Sequence, residues 1–440
     1  MRTIIKNKES FTIMFNDMFP NHKINNVNGI TIDSRDIQQD DIFIPIKGAN
    51  YNGHDYIASA LNSGAQLSFS EIKKNKKDII NVSNTKMAIN AIAKKWQTIS
   101  KAKIIGITGS NGKTTTKELL FMMLSKKYKC SKSIGNYNSS IGLPLTFLSS
   151  KIDDDFCILE YGASKPNEII KLCKCIKPNY SLITNISEAH IENFSSLKEI
   201  AKTKSEIYNI LEKDDIAFIN RDQKNISTLK INSKKITFGY KSKSNYNGSL
   251  KIGKNNLLKI NNNTFSIPSN IIHLKDSLIA TISISLFLNI NNDDIQCALN
   301  EFTLPLGRGG KVIKNNLEII DDSYNANPES MKLAIERFNN IKIDGKKIFV
   351  MGDMLELGKE ELEKHGEISK AINNSSINTF LTYGELSKST FDNVDDTYII
   401  KKHFYSMNSL KELIKSIYLN GDLIYIKGSR SMKLERIYKG

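Results

Sequence analysis

Apolar residues in this chain come in short runs broken by polar turns, and the character of the runs changes along its length. The stretch 103–118 reads KIIGITGSNGKTTTKE. Ile104, Ile105 and Ile107 form a short β-branched run that predicts a buried strand, followed by a glycine-rich turn and a helix opening at Lys113. Upstream, the pattern predicts a strand over 30–35 ending in a polar turn, a second strand and turn over 41–48, and a helix through Ala58, Ala60 and Leu61. A further helix over 87–100 carries the only tryptophan, Trp96. Downstream, a polar loop over 135–144 opens a helix, and a strand over 156–160 ends in Glu160. Another strand spans 181–185, a helix 197–211, short strands and Asn/Lys-rich turns 220–268, and an apolar helix 271–288. From 311 onward strand and helix signals alternate over 317–321, 328–338, 347–351, 359–372, 379–383, 410–419 and 423–426. That alternation predicts an open, doubly wound sheet.

A chain of 440 residues is too long for one core. The expected class is α/β with three domains. They are a small N-terminal α/β substrate domain over 1–95, a central P-loop ATPase-type domain with a mostly parallel sheet over 96–310, and a C-terminal Rossmann-like doubly wound domain over 311–440.

The net charge of +16 invites a nucleic-acid reading. The lysines, however, are scattered through a sequence rich in Lys, Asn and Ile, and no helix-turn-helix or RNA-binding signature is present. A basic field serves a small anionic substrate equally well. Arginine is scarce. Arg35, Arg308 and Arg430 sit in Gly- or Ser-containing turns, where the rigid guanidinium suits phosphate or carboxylate. Arg2, Arg221, Arg337 and Arg436 lack such context. The five cysteines are irregularly spaced, which predicts a reducing cytoplasm and neither a disulfide frame nor a zinc site; Cys173 and Cys175 read as accidental neighbours on a helix. The start MRTIIKNKES lacks the apolar core of a secretory signal. The longest apolar run, 278–290, is too short to span a bilayer and holds Thr281, Ser283 and Ser285.

The glycine-rich turn carries the clearest chemistry. Gly109 and Gly112 permit a tight turn that brings backbone N–H groups toward an anion, Lys113 adds a cation, and the helix N-terminus adds positive potential. Thr114 offers a hydroxyl to Mg²⁺. Gly109, Ser110, Asn111, Gly112, Lys113, Thr114 and Thr115 therefore read as a cradle for a nucleoside triphosphate, although Ile107 stands where the common P-loop pattern has its first glycine. Glu160 and His190 both fall just beyond predicted strand ends, the ligand edge of such sheets. A shared divalent metal explains the two together. Ser34, Arg35 and His54 suit a phosphate or sugar, but ordinary turn chemistry explains them too. Lys202, Lys204 and Glu206 read as a solvated helix face.

TGSNGKTTTKE, GNYNSSIGLP, LEYGASKPNEI, ITNISEAHIENF, DDSYNANPESM, MGDMLELG and KGSR occur in the order found in Mur ligases, and the chain resembles that family over nearly its whole length. DDSYNANP and MGDMLELG resemble the branch that joins D-alanyl-D-alanine to UDP-N-acetylmuramoyl-tripeptide in peptidoglycan synthesis, with ATP and Mg²⁺. The resemblance implies a cytoplasmic, monomeric enzyme that binds neither nucleic acid nor membrane. It implies that Asp33, Ser34 and Arg35 hold the UDP part, that Lys113 and Asn185 contact phosphates, and that Thr114, Glu160, His190 and a carbamylated Lys204 ligate Mg²⁺. Asn136 and Asn138 would lie near metal and acyl substrate. Arg308 and Asp322 would reach the nucleotide, with Asp322 on the ribose, and Tyr324, Asn325 and Asn327 would line the closing cleft. Ser139, Tyr161 and the residues after His273 depart from the family pattern, the last of these on the adenine side. A ligase of the same fold adding one amino acid, or glutamate to folate, is the nearest alternative; a P-loop switch or motor, or a non-catalytic nucleotide-binding module, belongs to other classes. Whether the stem peptide's third residue is lysine or diaminopimelate is left open.

Overall fold

Three sheets, each flanked by helices, account for the chain. The computed structural model describes residues 1–48, 50–188, 191–395, 397 and 399–439. The first sheet has five strands in sequential order, Arg2–Ile4, Gly29–Thr31, Asp41–Phe43, Ala65–Ser70 and Ile79–Asn81, parallel except for the first pair. Arg2, which has no distinguishing context in the sequence, makes a two-pronged pair with the fully buried Asp41, at 2.6 and 2.7 Å. A bidentate Arg–carboxylate pair is among the stronger polar contacts a fold can make. It ties the chain's start to the third strand, a link that 39 residues of separation hide from local pattern reading.

One face of this sheet is covered by the helices Lys8–Met18 and Thr85–Ile99. The second begins at Asn84, whose side chain accepts from Met87 N and so caps the helix. It buries Ala88, Ile89, Ile92, Ala93 and Trp96 at helical spacing. Trp96 packs on Phe11 with ring centroids 5.9 Å apart.

The central sheet has nine strands. Its parallel part runs Lys234–Gly239, Ile216–Asn220, Tyr180–Ile183, Lys103–Thr108, Phe156–Glu160 and Cys130–Lys132, and an antiparallel ribbon of Tyr246–Lys251, Leu257–Ile260 and Asn263–Ser266 extends one side. The strand before the glycine turn lies within the parallel part, between Tyr180–Ile183 and Phe156–Glu160, with Ile107 opposite Glu160 and Thr108 opposite Ile183. That register brings the C-terminal ends of three strands to one edge, where open parallel sheets bind ligands. The helix Glu168–Cys175 buries Cys173 and Cys175 as apolar packing. Burial pushes the Cys175 thiol up to about 12.

The third sheet runs Gly310–Lys314, Leu317–Asp322, Leu423–Lys427, Lys347–Gly352, Thr379–Tyr383 and Ile400–Phe404, parallel apart from the first strand. Two details differ from the sequence pattern. The single helix expected over 359–372 is broken into Glu361–Gly366 and Ser369–Asn373. There His365 turns inward, its Nε2 accepting from Met354 N while Nδ1 faces the Glu361 carbonyl. The edge strand Ile400–Phe404 escapes the pattern because its residues Lys401, Lys402 and His403 give it no apolar face to read.

Phe11 and Trp96 yield a direct test. Phe11→Ala removes a wholly buried ring, a change that costs about 3–5 kcal/mol in well-packed cores. Trp96, the sole tryptophan, reports it. The urea midpoint followed by Trp96 fluorescence is expected to fall, with the slope unchanged.

Candidate active site

The glycine-rich turn is held rigidly. Gly109 has φ 149° and Gly112 φ 77°. A Cβ on Gly109 would sit 1.9 Å from Thr184 Oγ1, so only glycine fits that position. Thr184 Oγ1 donates to the Asn111 carbonyl at 2.6 Å, Ser110 Oγ donates to the Ser187 carbonyl at 2.8 Å, and Asn185 Oδ1 accepts from Asn111 N at 2.8 Å. Asn185 thus meets the turn through its backbone amide. Lys113 opens the helix Lys113–Leu124, and its Nζ folds back on the Gly109 carbonyl at 2.7 Å. Burial, opposed by Glu160 and reinforced by Arg308, lowers the Lys113 ammonium to about 8.

Lys204 lies in the helix Leu197–Asn209 and is 4% exposed, so the solvated-face reading fails. It shares the helix face of Ile200 and Ile207, both buried, and its Nζ also reaches the Gly109 carbonyl, at 3.1 Å. Burial and the nearby Lys113 charge hold its pKa well below the usual lysine range. An amine so placed favours its neutral form.

Glu160 ends its strand fully buried. Its Oε2 lies 3.3 Å from Thr114 Oγ1 and its Oε1 3.1 Å from Lys117 Nζ. Oε1 accepts no aligned hydrogen bond among the described residues. A buried carboxylate oxygen left without a donor, beside a hydroxyl at the foot of the phosphate cradle, is an oxygen-rich setting that fits Mg²⁺. Among the described residues, no group of three or more His, Cys, Asp or Glu gathers to hold a metal. Any site here must draw on hydroxyl, phosphate or modified lysine oxygens as well. His190 lies outside the described residues.

The third sheet closes over this edge. A cleft of about 2250 Å³ is lined by Lys113, Glu160, Asn138, Arg308, Asp322 and Asn327, among others. Arg308 stacks on the Tyr324 ring at 3.6 Å and reaches Thr114 Oγ1 at 3.3 Å. Burial lowers its pKa from the ordinary arginine value. Asn327 caps the helix Pro328–Asn340 through Oδ1 and donates from Nδ2 to Asn111 Oδ1 at 2.8 Å. Asp322 accepts from Lys427 Nζ at 2.7 Å and Tyr425 Oη at 3.2 Å, and the Asn325 carbonyl accepts from the same lysine at 3.2 Å. Asn136, Asn138 and Thr115 also line the cleft. Burial pushes His273, on the same wall, down to about 3, so it is uncharged at neutral pH.

Asp33, Ser34 and Arg35 do not line this cleft. Asp33 accepts from Arg35 Nε at 2.8 Å and from Arg35 N at 3.1 Å, which holds its carboxyl down at about 2 and leaves the guanidinium mostly exposed. Local turn chemistry accounts for what these residues do here. Three residues to which the sequence reading gives no role of their own join the site: Lys117, Lys427 and Arg337, the last donating to the Gly309 carbonyl at 2.9 Å. Lys117 carries a signal in hindsight, because Leu120 and Leu124 place it on a buried helix stripe. Arg337 carries none.

Comparison with known proteins gives matches to three family models, which follow one another along the chain. The Mur ligase family catalytic domain matches residues 26–120, the Mur ligase middle domain 107–293, and the Mur ligase glutamate ligase domain 307–430. A UDP-N-acetylmuramoyl-tripeptide--D-alanyl-D-alanine ligase of Bacillus subtilis (strain 168) is 32% identical over 96% of this chain and 94% of its own length. The protein of the same name from Rickettsia prowazekii (strain Madrid E) is 35% identical over 94% of each. The solved structure of the MurF ligase from Thermotoga maritima in complex with ADP superposes with a TM-score of 0.81 at 26% identity, covering 93% of this chain and 96% of that one.

Gly109→Ala would force a Cβ into Thr184. Holding the native turn against that clash costs on the order of 1–3 kcal/mol, and the turn escapes it by leaving the conformation that presents its amides, so ATP affinity measured by calorimetry is expected to fall roughly 10- to 100-fold.

Proposed function

Because the chain belongs to the Mur ligase family, we propose that it is the ATP-dependent ligase that joins D-alanyl-D-alanine to UDP-N-acetylmuramoyl-tripeptide in peptidoglycan precursor synthesis, acting as a monomer in the cytoplasm. The observation that carries this reading is the meeting of the phosphate cradle with Arg308, Asp322 and Asn327 of the closing sheet in one cleft. The likeness to D-alanyl-D-alanine ligases over nearly the full chain supports the choice of substrates.

The chemistry follows from the poor reactivity of a carboxylate toward amines. The terminal carboxylate oxygen of the tripeptide attacks the γ-phosphorus of ATP, the bond to the β-phosphate oxygen breaks, and ADP leaves. The D-alanyl-D-alanine amine then attacks the acyl carbon, sheds a proton, and expels inorganic phosphate as the C–O bond breaks. Lys113 and the amides of the glycine turn hold the phosphates, and Arg308 adds a fixed cation from the opposite wall. Asp322, braced by Lys427 and Tyr425, is aimed at the ribose. Asn136 and Asn138 face the acyl side, and Tyr324, Asn325 and Asn327 narrow the cleft so that water is kept from the acyl phosphate. His273, uncharged, offers the adenine a neutral partner. Asp33, Ser34 and Arg35 hold the UDP end, with Arg35 free to leave Asp33 for a phosphate. Thr114, Glu160, His190 and a carbamylated Lys204 would hold Mg²⁺, whose charge offsets that of the transferring phosphoryl group.

Lys204 suits carbamylation for a physical reason. A neutral amine adds CO₂, releasing one proton and leaving an anion in place of a potential cation. At this position that change removes like charge from beside Lys113 and supplies an oxygen ligand farther from the backbone than a glutamate reaches.

Three measurements check the proposal. With UDP-linked tripeptide and ATP, mass spectrometry is expected to show the pentapeptide product and matching ADP only when D-alanyl-D-alanine is present; ATP turnover indifferent to both substrates would instead mark a nucleotide switch. Lys113→Ala is expected to abolish ligation in a folded protein. Lys204→Ala should lose most activity and regain part of it with short carboxylates in solution. Full turnover of Lys204→Ala at low bicarbonate would remove the carbamate from the scheme.

A further inference from the structure

Lys117 stands one helical turn beyond Thr114 and is completely buried. Its Nζ donates to the carbonyls of Ser133, at 2.8 Å, and Gly135, at 3.1 Å. It also lies 3.0 Å from Glu118 Oε1 and 3.1 Å from Glu160 Oε1. An ammonium has three hydrogens. Two are committed to carbonyls, and the third is divided between two carboxylates, which is why Glu160 Oε1 has a charge partner but no aligned donor.

Those two carbonyls belong to the loop that carries Asn136 and Asn138. Gly135 has φ 53°, Asn138 N donates to the Asn136 carbonyl at 2.7 Å, and the Asn138 carbonyl accepts from Gly162 N at 2.9 Å. The Asn138 amide fills the space a side chain at Gly162 would take, 2.6 Å from where its Cβ would stand. The loop is therefore pinned at one end by Lys117 and at the other by the backbone two residues past Glu160. Ser133 Oγ accepts from Glu160 N at 2.9 Å and closes the circuit.

We propose that Lys117 is a positioning residue that aligns both halves of the site at once: it balances the charge of Glu160 beside the nucleotide and fixes the loop that presents Asn136 and Asn138 to the acyl substrate. The first half rests only on the phosphate cradle; the second rests on the ligase reading above. Two effects follow from removing the ammonium. Glu160 loses its closest ammonium, at 3.1 Å, and the potential beside the nucleotide becomes less positive, so a nucleotide without metal binds less tightly and Mg²⁺ matters more. The loop loses its anchor, so the UDP-linked tripeptide binds less tightly.

Lys117→Met keeps an unbranched chain one atom shorter and removes its charge. By calorimetry with a non-hydrolysable ATP analogue, the ratio of its affinities with and without Mg²⁺ is expected to rise at least about tenfold over wild type, a coupling normal for close charge pairs. The affinity for UDP-linked tripeptide, measured without ATP, is expected to fall. Lys117→Arg should bring the Mg²⁺ ratio back toward wild type. If Lys117→Met proves too unstable, Lys117→Met combined with Glu160→Gln removes both charges; its metal-free nucleotide affinity should recover while its tripeptide affinity stays low. A folded Lys117→Met protein with wild-type Mg²⁺ dependence and wild-type tripeptide affinity overturns the proposal, as does a double variant whose tripeptide affinity is normal. The nucleotide arm needs no ligation. A wild-type protein that binds Mg²⁺ and nucleotide but joins no dipeptide therefore defeats the ligase reading without touching the Glu160 claim.

Discussion

The constraint on which the site depends is an excess of positive charge held out of water around one carboxylate. Lys113, Lys117, Lys204 and Arg308 converge on a small region in which Glu160 is the buried anion. Charges of one sign that are short of solvent repel strongly. Lys113, Lys204 and Arg308 all have lowered pKa values, with burial the largest cause in each. Such a cluster is relieved in only a few ways. A proton leaves, a cation is converted to an anion, or a polyanion enters. A triphosphate supplies the last of these, and so the same side chains that repel one another favour its binding.

Much of this was legible in the sequence where chemistry is local. The strand, the turn and Lys113 are consecutive, so one window contains the cradle. Glu160 is legible because a buried apolar run must end somewhere, and the residue that ends it faces the ligand edge. Lys204 and Lys117 are harder. Each interrupts an otherwise apolar helix stripe, Ile200–Lys204–Ile207 and Lys117–Leu120–Leu124. The usual meaning of a lysine on a helix is solvent. Only tertiary packing reveals that the Gly109 carbonyl for one and the Ser133 and Gly135 carbonyls for the other replace water. Arg2–Asp41 and Arg337–Gly309 are contacts between segments far apart in the chain, which no window can contain. The edge strand Ile400–Phe404 failed for the opposite reason, since its charged residues conceal a strand whose place is set by its neighbour.

The three sheets divide the labour by register. In the central sheet, pairing Ile107 with Glu160 and Thr108 with Ile183 brings cradle and carboxylate to one edge. In the third, pairing Asp322 with Lys427 puts a carboxylate and the ammonium that holds it at adjacent strand ends. A slip of one residue in either sheet would turn these side chains to the other face.

Asn327 has two ends and uses both, one to start a helix of the third sheet and the other to hold Asn111 in the glycine turn. One amide therefore makes two equilibria interdependent. Whatever docking of the third sheet adds to the affinity for nucleotide, nucleotide must add equally to docking, because the free energy around the cycle sums to zero. Contact between the third sheet and the cradle is thus tied to occupancy of the cradle, through Asn327 on Asn111 and through Arg308 on Thr114.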